Sequence, residues 1–118
     1  MTPTRVPASS NPIPLRGEVW DVFFPPPLGD HPVVVLTSNA LISRLGAVTV
    51  AIVTGTEGPA VTHVPLDADA GVTKYPVSWA NATDLHTVPR SRLRRRRGLV
   101  SARELERIEG CLRAVLVL

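Results

Sequence analysis

The sequence predicts a mainly β domain, a small barrel or strongly bent sheet, with one helix at its C-terminus. Three observations point there. Short runs rich in β-branched and aromatic residues recur with turn signals between them. The hydrophobic period becomes helical only after residue 100. A chain of 118 residues, 44% hydrophobic and 19% charged, is long enough for one core and too short for two ordinary domains.

The opening "MTPTRVPASSNPIPL" has four prolines and little to bury, so residues 1–14 are expected to form a flexible arm ahead of a domain over 15–118. It lacks the apolar centre of a signal or transit sequence, and no segment approaches the roughly 18 apolar residues of a membrane span. From Arg16, "RGEVWDVFF" reads as a strand, stopped by "PPPLGD". "PVVVL" is a continuous apolar run, consistent with a strand buried on both faces. "TSNALISRLG" allows a turn or one short helix. "AVTVAIVT", residues 47–54, is the clearest strand of the chain. "GTEGPA" ends it, and Pro65 confines the following strand "VTHVPL" to an edge or an end. After "DADAGVTKYP", the segment "VSWANATDLHTV" alternates well enough for one long strand or two short ones. "SARE" at residues 101–104 has the form of a capping box, and Leu105, Ile108, Leu112, Val115 and Leu116 then recur at helical spacing, so a helix with one apolar stripe begins there. The final "RAVLVL" reads as buried. Gly110, a helix-weakening residue inside that helix, has no reason visible in the sequence.

Charge and composition restrict the chemistry. A net charge of +3 and a pI near 10.0 favour an anionic partner. The distribution matters more than the sum: "RSRLRRRRG", residues 90–98, is either a solvated turn whose arginines pair with acidic groups or a rail for phosphates. Only 4% of residues are aromatic, so base stacking would rest on a few side chains such as Tyr75 or Trp79. A single cysteine, Cys111, excludes an intrachain disulfide and fits a reducing cytoplasm; it reads as a small core residue rather than a nucleophile. His31, His63 and His86 are scattered, and no Cys/His pair has ligand spacing, so neither a metal nor a cofactor is expected. Asp84 and His86 lie two apart on one strand face, where they could orient an imidazole or hold a metal, although a surface pair is the commoner meaning. A glycine-rich phosphate loop, a Gly-x-Ser-x-Gly elbow and a paired-carboxylate pattern are all missing.

The ordered set "RGEVWDVFF", "HPVVVLTSN", "AVTVAIVT", "THVPL", "SWANATDLHTVPRSRL", "RRG" and "SARELERIEGCLRAVLVL" resembles the MazF/PemK family of toxins from bacterial toxin–antitoxin pairs, over nearly everything from Leu15 to Leu118. The resemblance implies an SH3-like barrel of the CcdB/MazF type with a C-terminal helix, and a cytoplasmic homodimer. It also implies a metal-independent endoribonuclease that cuts single-stranded RNA at short sequences, leaving 2',3'-cyclic phosphate and 5'-hydroxyl ends. The implied partner is an antitoxin whose acidic, disordered segment covers the RNA groove. In the family's pattern an arginine precedes the proline that opens the second strand, and a threonine or serine ends the third. Here those positions are His31 and Thr54, which the resemblance makes catalytic.

The exchange of arginine for histidine reads in three ways: a variant catalyst, a weakened one, or a residue that only hydrogen-bonds in its loop. The first is favoured, because imidazole is poised for proton transfer near neutrality, which typically contributes ~100- to 10,000-fold. Thr54 is expected to hydrogen-bond the scissile phosphate or 2'-hydroxyl, the alternative being a strand-end threonine that satisfies its own backbone. The resemblance also places Asn81, Asp84 and His86 near the RNA groove, His86 where many relatives carry arginine. Two alternatives stay open: a protein-binding toxin of the gyrase type on the same barrel, and a catalytically silent member that binds RNA or antitoxin.

Overall fold

The computed structural model describes residues 11–118. The arm expected over 1–14 therefore falls mostly outside the described residues; of its last residues, Pro14 is fully buried. The chain order is β1 (Glu18–Phe23), β2 (Asp30–Val35), α1 (Asn39–Ile42), β3 (Ala47–Thr54), β4 (His63–Leu66), β5 (Ser78–Pro89), β6 (Leu93–Leu99) and α2 (Ala102–Leu116). The strands form one antiparallel sheet in the order β4-β5-β3-β2-β1-β6.

Both faces of that sheet are covered, as the uninterrupted run "PVVVL" requires. Val34 and Leu36 join Val19, Ala51, Val53 and the α2 residues Ile108 and Cys111 in one cluster. Val33 and Val35 join Val22, Phe24, Val48, Val50, Ile52 and the α1 residue Ile42 in another. Alternate residues of one strand thus feed two cores, because successive side chains leave a strand on opposite faces.

The sheet does not close into a complete barrel, since β4 and β6 both remain edges. β4 is only four residues long, and Pro65 has no N–H for a further ladder. Non-strand contacts fill the gap. The turn at Ala68–Ala70 packs on β6, and a Cβ at Gly71 (φ 76°) or at Gly98 would collide with the facing backbone, that of Arg97 and Asp69 respectively. Curvature comes from β5, where Ala51 faces Leu85 but the next residue, Ile52, faces Asn81. Ala82, Thr83 and Asp84 therefore bulge from the β3 ladder.

The arginine cluster is not a solvated turn throughout. Only Arg90–Arg92 form a short turn, and the rest is the edge strand β6. α2 begins where "SARE" places it: the Ser101 hydroxyl accepts from the Glu104 N–H (3.0 Å), and Glu104 accepts from the Ser101 N–H (2.7 Å). The helix packs on β4 and β5. Its last turn departs from expectation: Leu116, Val117 and Leu118 are exposed, because the core beneath the helix extends only as far as Val115. Cys111 is buried, and nothing in the structure requires glycine at position 110, where a Cβ would meet open space. No described helix is long and apolar enough to cross a membrane.

Candidate active site

At one end of the sheet, the start of β2, the end of β3 and the start of β5 surround a cavity of about 270 Å³. His31 and Thr54, drawn from different strands, both line it. They meet because β2 and β3 run antiparallel, which brings the beginning of one beside the end of the other. The His31 Nε2 lies 2.9 Å from the Val53 carbonyl oxygen. A carbonyl can only accept, so Nε2 carries a proton and donates it, and Nδ1 makes no hydrogen bond among the described residues. Thr54 Oγ1 accepts from the Thr56 N–H at 3.1 Å. The local turn thus uses an oxygen lone pair and leaves the hydroxyl proton available to a ligand. Each loop contact weighed in the sequence is present, and in each case the chemically useful atom has no other partner among the described residues.

The walls also carry side chains from other elements, and Asp30 lies beside His31 on β2. Asp21 comes from the middle of β1, Arg97 from β6, Lys74 and Tyr75 from the loop after β4, and Ser78 from the start of β5. Arg97 Nη1 donates to both Asp21 oxygens (3.0 and 3.1 Å), and Nη2 donates to the Gly71 carbonyl (2.9 Å). Ser78 is buried, and its hydroxyl has no hydrogen-bond partner among the described residues. The half-exposed ring of Tyr75 lies where a Cβ on Gly55 would stand, so glycine at 55 lets the loop close over the end of β3. Lys74 Nζ sits 5.4 Å from that ring's centroid. Asp21 carried one legible signal, a carboxylate in the middle of an apolar strand.

Asn81, Asp84 and His86 do not line this cavity. Asn81 is at the bulge, where its Oδ1 accepts from the Thr83 N–H (2.9 Å) and hydroxyl (2.6 Å). His86 Nε2 and Asp84 Oδ1 are 2.8 Å apart, so their same-face placement is realised as an exposed pair, with the imidazole edge-on to Phe24 at 5.2 Å. Among the described residues, no three His, Cys, Asp or Glu side chains gather where they could hold a metal ion.

The arginines of β6 divide by face. Arg95 and Arg97 reach Asp21, Arg95 at 3.7 Å, whereas Arg96 Nε donates to Glu18 at 2.7 Å. Arg94 stacks its guanidinium over Phe23, 5.0 Å from the ring centroid. Burial alone would raise the Glu18 pKa. Hydrogen bonds from the Leu15 N–H, Arg96 and the Trp20 indole outweigh it and hold the carboxyl below its ordinary value.

Comparison with known proteins bears on this arrangement. The chain is 37% identical over 100 residues to the probable endoribonuclease MazF2 of Mycobacterium tuberculosis, covering 84% of this chain and 94% of that protein. Its fold matches an endoribonuclease in complex with its cognate antitoxin from a Mycobacterial species (TM-score 0.78, 24% identity, 89% of this chain and 96% of that one). It likewise matches a MazE–MazF complex from Deinococcus radiodurans (TM-score 0.74, 25% identity, 90% and 98%). Residues 15–116 fit the family model described as the PemK-like, MazF-like toxin of type II toxin-antitoxin systems, and the chain belongs to that family.

Proposed function

We propose that this protein is a sequence-specific, metal-independent endoribonuclease that cuts single-stranded RNA and is held in check by a cognate antitoxin. The observation that carries the reading is the convergence of His31 and Thr54 on one cavity, each with a reactive atom free. Nδ1 of His31 takes the proton of the 2'-hydroxyl, the 2'-oxygen forms a bond to phosphorus, and the bond from phosphorus to the 5'-oxygen breaks. The 5'-oxygen takes a proton from water while the imidazolium returns its own to solvent, so the products are a 2',3'-cyclic phosphate and a 5'-hydroxyl. The Thr54 hydroxyl donates to a phosphate oxygen, and the buried Ser78 hydroxyl, without a partner among the described residues, offers a second donor. Asn81, Asp84 and His86, outside the cavity, are assigned to flanking nucleotides; Asn81 contributes its amide N–H groups, its oxygen being held by Thr83.

The antitoxin is supported by relatives solved with cognate antitoxins and by the exposed guanidinium groups of Arg94, Arg95 and Arg96, which suit an acidic segment. A homodimer and a cytoplasmic location accompany this reading. A second reading, a protein-binding toxin, is favoured by one feature, the exposed apolar end of α2 at Leu116–Leu118.

The test is incubation of antitoxin-free protein with a long single-stranded RNA in EDTA, beside His31→Ala and Thr54→Ala, with the fragment ends mapped. Discrete cuts ending in cyclic phosphate, lost by roughly 100-fold or more in His31→Ala, are the expected result. Cuts that survive His31→Ala reduce that residue to loop structure, and intact RNA with every protein moves the reading to the protein-binding toxin.

A further inference from the structure

We propose that Arg97 is the cation that binds the scissile phosphate, in the role that the family pattern gives to an arginine at position 31, and that Asp21 positions it. This rests on the endoribonuclease reading above. In that reaction negative charge grows on the non-bridging phosphate oxygens as the 2'-oxygen attacks. His31 acting as the base enters the step neutral, so it brings no positive charge at the outset. A fixed cation must come from elsewhere, and the cavity wall holds two, Lys74 and Arg97.

The two are held differently. Lys74 is exposed on its loop beside the Tyr75 ring. Arg97 has a side chain only 20% exposed, fixed by Asp21 from below and by the Gly71 carbonyl from the side. Those bonds occupy Nη1 and Nη2, and the Nε–H makes no hydrogen bond among the described residues. The cavity wall carries two carboxylates, Asp21 and Asp30, against the two cations Lys74 and Arg97, and Arg95, 3.7 Å from Asp21, tips the balance to positive.

The backbone adds rigidity at this point. Close packing of Gly71 against the Arg97 carbonyl and of Gly98 against the Asp69 carbonyl fixes the loop to β6 at the arginine's own backbone. A donor held in place before the reaction does not have to reorganise as charge develops, which is what makes such groups effective. The ion pair on the opposite face of β6 gives the contrast. Arg96 and Glu18 are 2.7 Å apart, a sound structural pair, yet neither lines the cavity.

The experiment is single-turnover cleavage, at saturating concentration, of a short RNA with one site cut by the unaltered protein. Arg97→Ala, Arg97→Lys and Asp21→Asn are compared with it, each checked for folding by circular dichroism. The same RNA is also made with sulfur replacing either non-bridging oxygen of the scissile phosphate. Arg97→Ala is expected to slow cleavage by roughly 100- to 1,000-fold, Arg97→Lys to recover part of the loss, and Asp21→Asn to fall between. One sulfur diastereomer should slow the unaltered protein far more than it slows Arg97→Ala, because the contact that sulfur weakens is already gone.

A rate in Arg97→Ala within about threefold of the unaltered protein, or an equal sulfur effect in both, overturns the proposal. Should Arg97→Ala fail to fold, Arg97→Lys and Asp21→Asn decide it: loss of diastereomer discrimination supports the assignment and undiminished discrimination overturns it. RNA left intact by the unaltered protein removes the endoribonuclease reading itself, whereas normal cleavage by the Arg97 variants removes only the phosphate assignment.

Discussion

Replacing Glu104 with alanine should loosen the molecule far more than its place in the first turn of a helix suggests. Its carboxylate caps α2 through the Ser101 N–H at 2.7 Å and, with its other oxygen, accepts from the Asp67 N–H at 2.7 Å. The residue is only 7% exposed. Hydrogen bonds to a charged group contribute roughly 1.5–3 kcal/mol each, and the exposed Asp67 recovers part of its loss from water. A net cost of about 2–4 kcal/mol follows, a large part of the ~5–15 kcal/mol that holds a typical domain. At about 4–8 °C per kcal/mol for a domain somewhat smaller than this one, the melting temperature should fall by about 10–20 °C. Scanning calorimetry measures it, and urea titration should show a lower midpoint with an unchanged slope. Glu104→Gln, which keeps one acceptor oxygen, should lose about half as much. A melting temperature within about 3 °C of the unaltered protein would refute the reasoning, because it would mean that the tie between helix and loop carries no energy.

Glu18 gives stability a pH dependence of definite sign. Its folded pKa lies below the unfolded carboxylate value near 4.3, so its contribution is complete above that value and disappears as pH falls through the folded pKa. The stability gap between the unaltered protein and Glu18→Gln should accordingly be constant near neutrality and shrink below about pH 4; a gap of constant size across that range contradicts the assignment. Burial raises the Cys111 thiol pKa, so iodoacetamide should modify it much more slowly in the folded protein than in urea. Equal rates would show the thiol to be open in the folded state.

Several elements were legible because their causes are local. The capping box needs only Ser101 and Glu104, three residues apart, and β3 needs only its own run of apolar and β-branched residues. His31 and Thr54 stand out through the family pattern rather than through any local signal, and the antiparallel pairing of β2 and β3 brings them to one cavity. β6 was illegible for the opposite reason. Four successive arginines hide any alternation, and the carboxylates that accept them, Asp21 and Glu18, lie more than seventy residues earlier on β1. An edge strand tolerates such charge where a central strand would not.

The exposed end of α2 was misjudged because an apolar stripe says which helix face would be buried, not how far the surface beneath it extends. The sequence by itself determined the strand runs, the start of the helix and the two-sided burial of β2, all set by neighbours within one turn or one strand. Only the tertiary structure decided that the sheet stays open and that Arg97, Asp21 and the loop after β4 complete the site, because hydrogen bonds and ion pairs between distant segments exist only once the chain has folded.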